Sequence, residues 1–391
     1  MRRSLVSRAV RESRKLLLRN MTPGGILAAT RSPEAVKRNY ARVFCRDAAI
    51  CALGMVDSGD PELAEMARVG LRSLARRQAD NGQMPNFIDP EGGGADFWYV
   101  GCIDATLWWL VAVDHCDRFD PASGLRNELA RPVERALRWL RCQEHPAHLL
   151  LQQNEASDWA DIMPRSGYVL ATNVLWHRVK VRYGLPGAEA TREFGNRLFL
   201  GTSGGGPLPP RLARMIRYGG NGARSAETEA LYASFVNVSA VGREGDVFGN
   251  VLALLFGFAD GDRAGRILDA LLRKRVDRPY PVRAVCDPIR RKDPLWRPYM
   301  NRHRLNTAFR YHNGGAWPFL GGFWVAALAG AGLRAEAGEA LERTARMNEA
   351  DGWGFREWFH GRTGAPNGMR GQSWNAAMFL FAARRLESAR R

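Results

Sequence analysis

The feature that most constrains this chain is a helical hydrophobic period that recurs along its whole length. Ala41–Met55, Pro61–Asp80, Gly101–Asp114, Arg131–Gln143, Gly167–Tyr183, Ser225–Ala233, Val247–Phe258, Ala264–Val276, Ala316–Ala331, Ala335–Asp351 and Gln372–Leu386 place apolar residues at i, i+3, i+4 and i+7. Cap residues agree: Asp60-Pro61-Glu62 opens one helix and Gly184 closes another. Strand-like alternation is scarce, so the reading is all-α. The helices are of two kinds. Pro61–Asp80, Arg131–Gln143 and Ala335–Asp351 are charged on one side, whereas Gly101–Asp114, Ala316–Ala331 and Gln372–Leu386 are apolar nearly all round. A helix that is apolar on every face must sit inside other helices. Alternation of the two kinds predicts a toroid of helical hairpins, in which an outer ring encloses an inner one. With no long linker, residues 41–391 read as a single domain and residues 1–40 as a basic helical extension that docks at its edge.

The segments before the apolar helices are rich in Gly, polar and aromatic residues: VFCRDAAI, NGQMPNF, WYVGCIDATLWW, NEASDWADIMP, RYHNGGAWPF, GWGFREWFHGRTG and GMRGQSWNAAM. Inner helices that begin at one rim carry all of these loops to one mouth, where a binding site is expected. The stock of 12 Trp in a chain of 391 residues that is 46% apolar supports both a large core and a pocket with flat aromatic walls.

The formal net charge of +17 raises nucleic acid or an acidic membrane as partners. The excess lies mainly in residues 1–46, with twelve Lys/Arg against two Glu, and in a second stretch from Arg263 to Arg310, and elsewhere the charge is near balance. Solvated charge is the simpler reading, and no nucleic-acid partner is expected. Cys45, Cys51, Cys102, Cys116, Cys142 and Cys286 form no CxxC pair and no Cys/His cluster with zinc spacing, so they read as reduced thiols of a cytoplasmic protein with no metal site. The N-terminal MRRSLVSRAVRESRKLLLRN lacks the apolar core of a secretory signal, and no stretch has the ~20 apolar residues of a membrane span. Association into a homo-oligomer is left open.

Two segments carry candidate chemistry. In NEASDWADIMPRSGYVLATNVLW, Glu155, Asp158 and Asp161 crowd around Trp159 directly before an apolar helix. Acids at a helix N-terminus are ordinarily caps, since unpaired N–H groups and the helix dipole favour negative charge there. In FREWFHGRTGAPNGMRGQSWNAAM, Glu357 lies between Arg356 and Trp358, and Gln372 and Trp374 open the last helix. A surface loop with a weak Arg–Glu pair is the plain reading. The two segments nevertheless share a pattern: a carboxylate beside Trp, an Arg nearby, and an inner helix following. Two carboxylates on facing loops, walled by Trp, are what cleavage of a glycosidic bond requires. In YHNGGAWPF, His312 and Asn313 offer directional hydrogen bonds and Trp317 a stacking face, although a turn with a buried His fits the same residues. Arg46 and Asp47 head one apolar helix, as a hydroxyl grip or a buried ion pair, and Asp104 heads another, where a cap is the plain reading. The glycine-rich GTSGGGPLPP (Gly201–Pro210) has no Lys-Ser/Thr and no preceding strand, so it is a connection and not a phosphate loop.

These segments resemble the (α/α)6-barrel glycoside hydrolases, and among them the alkaline/neutral invertases and the related amylo-α-1,6-glucosidase-like proteins. DWADIMPRSGYVLATNVLW is similar to their Asp-x-Met-x-x-x-Gly-Tyr segment, YHNGGAWPF to their Tyr-His-Asn-Gly-Gly-Ser-Trp-Pro run, and REWFHGRTGAPNGMRGQSWNAAM to their Glu-(aromatic)-(aromatic)-x-Gly-x-Thr-Gly segment followed by Gln-x-Trp. VFCRDAAI resembles the Arg-Asp element of the wider clan. The resemblance implies six helical hairpins in inner and outer rings, and an inverting glycosidase with no cofactor. It implies Asp161 as general acid, with Asp158 as competitor, and Glu357 as general base. It implies Arg46, Asp47, Asp104, Asp158, Trp159, His312, Asn313, Trp317, Gln372 and Trp374 around a small carbohydrate. A sucrose-type α-glucoside is the favoured substrate. The alternatives are short α-1,6/α-1,4 glucans, or a non-catalytic carbohydrate-binding protein. Under this reading Asp161 is protonated through partial desolvation near Trp159, Glu155 binds hydroxyls or caps the helix, and Glu357 stays ionised.

Overall fold

The computed structural model describes residues 2–98, 100–200, 208–219 and 230–388. Six helices form the inner ring: α3 (Cys45–Asp57), α5 (Ile103–Phe119), α8 (Leu170–Tyr183), α11 (Val247–Leu255), α13 (Pro318–Gly330) and α15 (Ser373–Ser388). Each packs on the next, and α15 returns to α3, so the ring is closed. The outer ring holds α1 (Arg2–Asn20), α4 (Pro61–Ala75), α7 (Ala130–Arg141), α9 (Ala188–Leu200), α12 (Gly261–Arg273) and α14 (Arg334–Trp353). The short helices α2 (Pro33–Lys37), α6 (Leu125–Glu128) and α10 (Pro210–Gly219) lie between them in the chain. This is the (α/α)6 toroid.

The two kinds of helix sit where their faces require. In α13 every residue from Pro318 to Ala329 is buried, while α4 buries only a stripe that includes Leu63, Ala67, Leu71 and Leu74. Inner helices approach closely where they lack side chains. A Cβ at Gly54 of α3 would lie 1.9 Å from the Ala377 carbonyl oxygen of α15, and one at Gly322 of α13 would lie 2.5 Å from that of Met378. The Asp60 side chain caps α4 by accepting from the N–H groups of Glu62 and Leu63, and Gly184 ends α8 in the left-handed region at φ 64°.

The sequence missed α9 and placed a helix at Ser225–Ala233. Residues 225–229 of that segment lie outside the described residues, and Ala230–Ala233 are turn and coil. Of the glycine-rich connection, residues 201–207 also lie outside them. The basic N-terminal segment enters the fold as α1, packed on α14 and α15. It continues through a hairpin, β1 (Met21–Thr22) with β2 (Gly25–Ile26), toward the mouth of the barrel.

Short antiparallel strands mark the rim from which inner helices start. β3 (Val43–Phe44) leads into α3 and pairs with β4 (Phe87–Ile88), which pairs with β5 (Ala95–Asp96). β6 (Tyr168–Val169) leads into α8 and pairs with β7 (Phe235–Val236). β8 (Trp358–Phe359) and β9 (Pro366–Asn367) form the hairpin before α15. The backbone N–H groups of these loops are thereby paired at the rim, and side chains project into the barrel mouth.

Candidate active site

At this rim lies a cavity of about 390 Å³, within the size range of small-molecule sites. Its walls come from the loops before α3, α5, α8, α13 and α15. Arg46, Asp47, Asp158, Trp159, Asp161, His312, Trp317, Glu357, Gln372 and Trp374 all line it. Two of the expected residues do not. Asp104 is buried behind the wall, where both carboxylate oxygens accept from one Arg46 amino group, at 2.9 and 3.1 Å. It does not cap α5. Asn313 is fully buried and ties loops together: its Oδ1 accepts from Ile289 N–H at 2.8 Å, and its Nδ2 donates to the carbonyls of Ile289 and Asn306 at 2.8 and 3.1 Å. No free polar atom of Asn313 is left for a sugar. Glu155 likewise turns away from the cavity to the Tyr299 hydroxyl and to Arg297.

Among the acids of the first segment, the surroundings separate the candidates. Asp158 is buried and committed: Oδ1 accepts from Ala160 N–H at 2.8 Å and Oδ2 from the Gln153 amide at 3.0 Å. Asp161 leaves 46% of its side-chain surface open to the cavity, yet that cavity is walled by protein on the scale of the carboxyl group. Burial pushes its carboxyl up to about 6, helped by the negative charges of Asp158, Glu357 and Asp104 and opposed by Arg46. His312 Nδ1 lies 3.7 Å from Asp161 Oδ1. Burial, with Arg165 and Arg46 nearby, holds that imidazole well below its ordinary value, so it stays neutral and the pair is not ionic.

Glu357 is held differently. Its Oε1 accepts from the Tyr40 hydroxyl at 2.6 Å and its Oε2 from Met369 N–H at 3.0 Å. Burial raises its pKa, and the two donors, with Arg38 and the Tyr311 hydroxyl, work against that rise. Neither donor is a cation, so the carboxylate is oriented without being locked in an ion pair. Gly368, at φ 72°, permits this geometry: a Cβ there would lie 2.4 Å from Oε2. Asp47 lies close enough to feel both Arg46 and Glu357, and burial pushes its carboxyl up to about 7.

The aromatic side chains form a cage. His312 stacks on Trp317 at 5.2 Å, Trp159 meets both edge-on, and Phe319 stacks on Trp374 at 4.0 Å. Several polar atoms of this lining have no hydrogen-bond partner among the described residues: both ends of the Gln372 amide, the indole N–H groups of Trp159 and Trp374, and Arg46 Nε, which lies 3.9 Å from Asp47 Oδ1. A buried polar group left unpaired costs about 1–3 kcal/mol, a cost that a bound hydroxyl relieves.

Sequence reasoning missed several parts. Arg38, Asn39 and Tyr40, from the segment read as an extension, line the cavity, as does Asp96, and nothing in their local sequence marks them. Phe44, Asn86, Phe87, Trp98 and Tyr311 also line it; they lie in loops assigned to the mouth but were not singled out. Beneath the cavity, Arg165 lies 3.5 Å from Glu244 and 3.2 Å from Asp246, all three nearly inaccessible. The Arg in PRSGY is a visible signal, but its partners are some eighty residues away in the chain.

Comparison with known proteins bears on the C-terminal part of this site. Residues 246–389 match the family described as alkaline and neutral invertase. Cytosolic invertase 1 of Oryza sativa subsp. japonica is 30% identical over 145 residues, which are 36% of this chain and 25% of that protein. Probable alkaline/neutral invertase D of Arabidopsis thaliana is 30% identical over 145 residues, 36% of this chain and 26% of that one. The matches thus span about a quarter of these relatives. The family match includes Glu357, His312, Trp317, Gln372 and Trp374, and excludes Arg46, Asp47 and Asp161. Among solved structures, a GH63 mannosylglycerate hydrolase from Thermus thermophilus is similar with a TM-score of 0.66 at 16% identity, over 95% of this chain and 99% of that one. A GH78 family rhamnosidase from a Bacillus species gives 0.63 at 14% identity, over 97% and 35%. At such identities the likeness is one of fold.

Proposed function

We propose that this chain is a glycoside hydrolase that inverts at the anomeric carbon, with Asp161 as general acid and Glu357 as general base. The observation that supports this most is that two carboxyl groups from distant loops line one aromatic-walled cavity, both raised by burial but with different hydrogen-bond partners. Burial raises Asp161 to about 6, which enlarges the fraction that has a proton to give. Glu357 accepts two hydrogen bonds that favour its ionised form. In the step proposed, Asp161 protonates the glycosidic oxygen as the bond to the anomeric carbon breaks. Glu357 takes a proton from a water that attacks that carbon from the opposite face. The leaving sugar departs as an alcohol, and the acid and base are reset by exchange with solvent. Inverting geometry requires the carboxyl groups to stand roughly 6.5–9.5 Å apart, with room for that water.

A sucrose-type α-glucoside is the favoured substrate, supported by the invertase match over the Glu357 half of the site. The partner is a small carbohydrate, and a cytoplasmic location fits six cysteines without a disulfide and a cytosolic rice relative. No helix among the described residues is long and apolar enough to cross a membrane. A second reading, an exo-acting or debranching glucosidase on short glucans, draws support from the aromatic outer rim. There Phe44 and Phe87 pair at 5.1 Å and Trp98 is 36% exposed, a surface suited to a further sugar ring. The test is a panel of disaccharides and short glucans with NMR detection of the first anomer released. Release of the β-anomer from an α-glucoside, abolished in Asp161→Asn and in Glu357→Gln, is expected. A retained anomer rules out inversion, equal rates in all three proteins rule out both residues, and no turnover of any substrate leaves a carbohydrate-binding role.

A further inference from the structure

We infer that the far end of the barrel axis is a binding site for a small anion that carries an apolar body. A second cavity, of about 340 Å³, opens there, and side chains of all six inner helices or the residue just after them line it. Its floor is apolar and largely aromatic, from Leu53, Phe256, Phe323 and Phe381. It shares Arg178 and Arg385 with an adjoining cavity of about 400 Å³ that also takes in Arg118 and Arg384. An apolar pit therefore ends in a cationic mouth.

The charges at this end do not cancel. Asp57 is paired with His115 at 2.7 Å and with Arg385 at 2.9 Å. Asp114 is paired with Arg182 at 2.7 Å and with Arg126 at 3.6 Å. Both carboxylates are thus committed. Arg178 has no carboxylate partner among the described residues, and its Nε–H is buried without an acceptor. Its guanidinium lies over the Phe256 ring at 5.2 Å, as that of Arg385 lies over Phe381 at 4.8 Å. Burial, together with the like charges of Arg182, Arg118 and Arg385 and opposed by Asp114, pushes Arg178 below its ordinary value.

A plainer account is that cations gather where six helix C-termini present their negative dipole ends. That account fits Arg385, in the last turn of α15. It does not fit Arg178, which lies before the last turn of α8 and donates to no carbonyl among the described residues. An oxyanion in the cavity that Arg178 lines supplies the anionic partner that the described residues do not. Carboxylate, sulfate and phosphate groups match the planar guanidinium fork, and the ring-stacked Arg178 is held in place for one, beside an Arg385 that is shared with Asp57. The apolar floor then selects an anion with an aromatic or aliphatic portion. This site is at the opposite end from the sugar cavity and does not depend on the proposed hydrolysis.

Isothermal titration of the folded chain with phenyl phosphate, inorganic phosphate and phenol, at constant ionic strength, tests this. Phenyl phosphate is expected to bind one to one and at least about tenfold more tightly than either fragment, since each tenfold is about 1.4 kcal/mol. Arg178→Met and Arg118→Met are each expected to weaken it by about tenfold or more, while Asp161→Asn leaves it unchanged. Arg118 is exposed, so its variant folds even where Arg178→Met does not. The absence of saturable binding of phenyl phosphate to the wild type overturns the inference. So does binding that survives Arg118→Met at full strength, or binding that is lost in Asp161→Asn.

Discussion

Removal of one oxygen atom, in Tyr40→Phe, isolates the role assigned to Glu357. The Tyr40 hydroxyl donates to Glu357 Oε1 at 2.6 Å, and its ring packs beside Ala29, Ala35, Ala41 and Met369, so phenylalanine keeps the packing. The other donor, Met369 N–H at 3.0 Å, is unaffected. A hydrogen bond to a charged group is worth about 1.5–3 kcal/mol, and one pKa unit is about 1.4 kcal/mol. Losing this donor therefore raises the Glu357 pKa by about one to two units, the lower figure applying where water takes the vacant place. A general base works only when ionised. The acid limb of kcat/KM, which reports the free enzyme, therefore moves to higher pH by that amount, and below it the rate falls about tenfold per unit of displacement. The alkaline limb, set by the proton on the acid partner, stays in place to first order. Because Asp47, Asp161 and Glu357 feel one another, the limbs belong to the cluster, and the difference between variant and wild type is the informative quantity. A pH–rate profile from about pH 3 to about pH 9 on a disaccharide reads this out directly. An acid limb displaced by less than about 0.3 unit, or an alkaline limb that moves instead, refutes Glu357 as a base held by Tyr40.

Asp161→Asn is expected to lower kcat on a disaccharide by about 10²–10⁴-fold and to spare α-glucosyl fluoride, whose leaving group needs no proton. Equal losses on both substrates would deny Asp161 the acid role. In the wild type, kcat/KM on a disaccharide is expected to fall as pH rises through about 6, where free Asp161 loses its proton. An alkaline limb more than about two units higher would assign it to another group. Gly54→Ala forces a Cβ to within 1.9 Å of the Ala377 carbonyl oxygen, and overpacking of that kind costs about 3 kcal/mol or more, seen as a lowered unfolding midpoint. Arg165→Met leaves Glu244 and Asp246 buried without their cation, at a cost of about 3–5 kcal/mol. Burial already pushes Asp246 up to about 6, above its unfolded value, so protonation favours the native state and stability is lost as pH rises through about 6. The destabilisation of Arg165→Met is therefore larger at about pH 8 than at about pH 5, as thermal unfolding at the two values will show.

The ring architecture was legible because burial of a whole helix leaves an unmistakable composition. Pro318–Gly330 and Ser373–Ser388 could not have been surface helices, and Asp60 and Gly184 fixed ends by local chemistry. α9 escaped because AEATREFGNRLFL mixes polar and apolar residues with a weak period, so packing on α8 decides its state. In the site, Asp161, Glu357 and the tryptophans were legible from residue type and company. Asn313 and Asp104 were misplaced because a polar residue beside a site looks the same in sequence whether it faces a ligand or another group of the protein. Tyr40 was invisible for the opposite reason: its partner is more than three hundred residues away, and only closure of the ring by α1 and the following hairpin brings them together.

The location of the invertase match within the cavity bears on which property each half controls. Residues 246–389 supply the proposed base, Glu357, and the stacked rings that would enclose the sugar being cleaved. Residues 38–47, 86–102 and 156–161 supply the proposed acid, Asp161, the Arg46–Asp47 pair and the whole outer rim. Under the proposed roles, a leaving group meets the acid and the rim, whereas the glycosyl unit meets the base and the cage. Hence the part of the site that chooses the leaving group lies outside the matched region, on loops whose cavity side chains, such as Trp98 and Phe87, are set by the β3–β4–β5 sheet. Exchange of those loops should therefore change which glycoside is cut while leaving the glycosyl product the same. A substitution in the cage, such as Trp317→Ala, should depress every substrate alike, because it removes binding common to all of them.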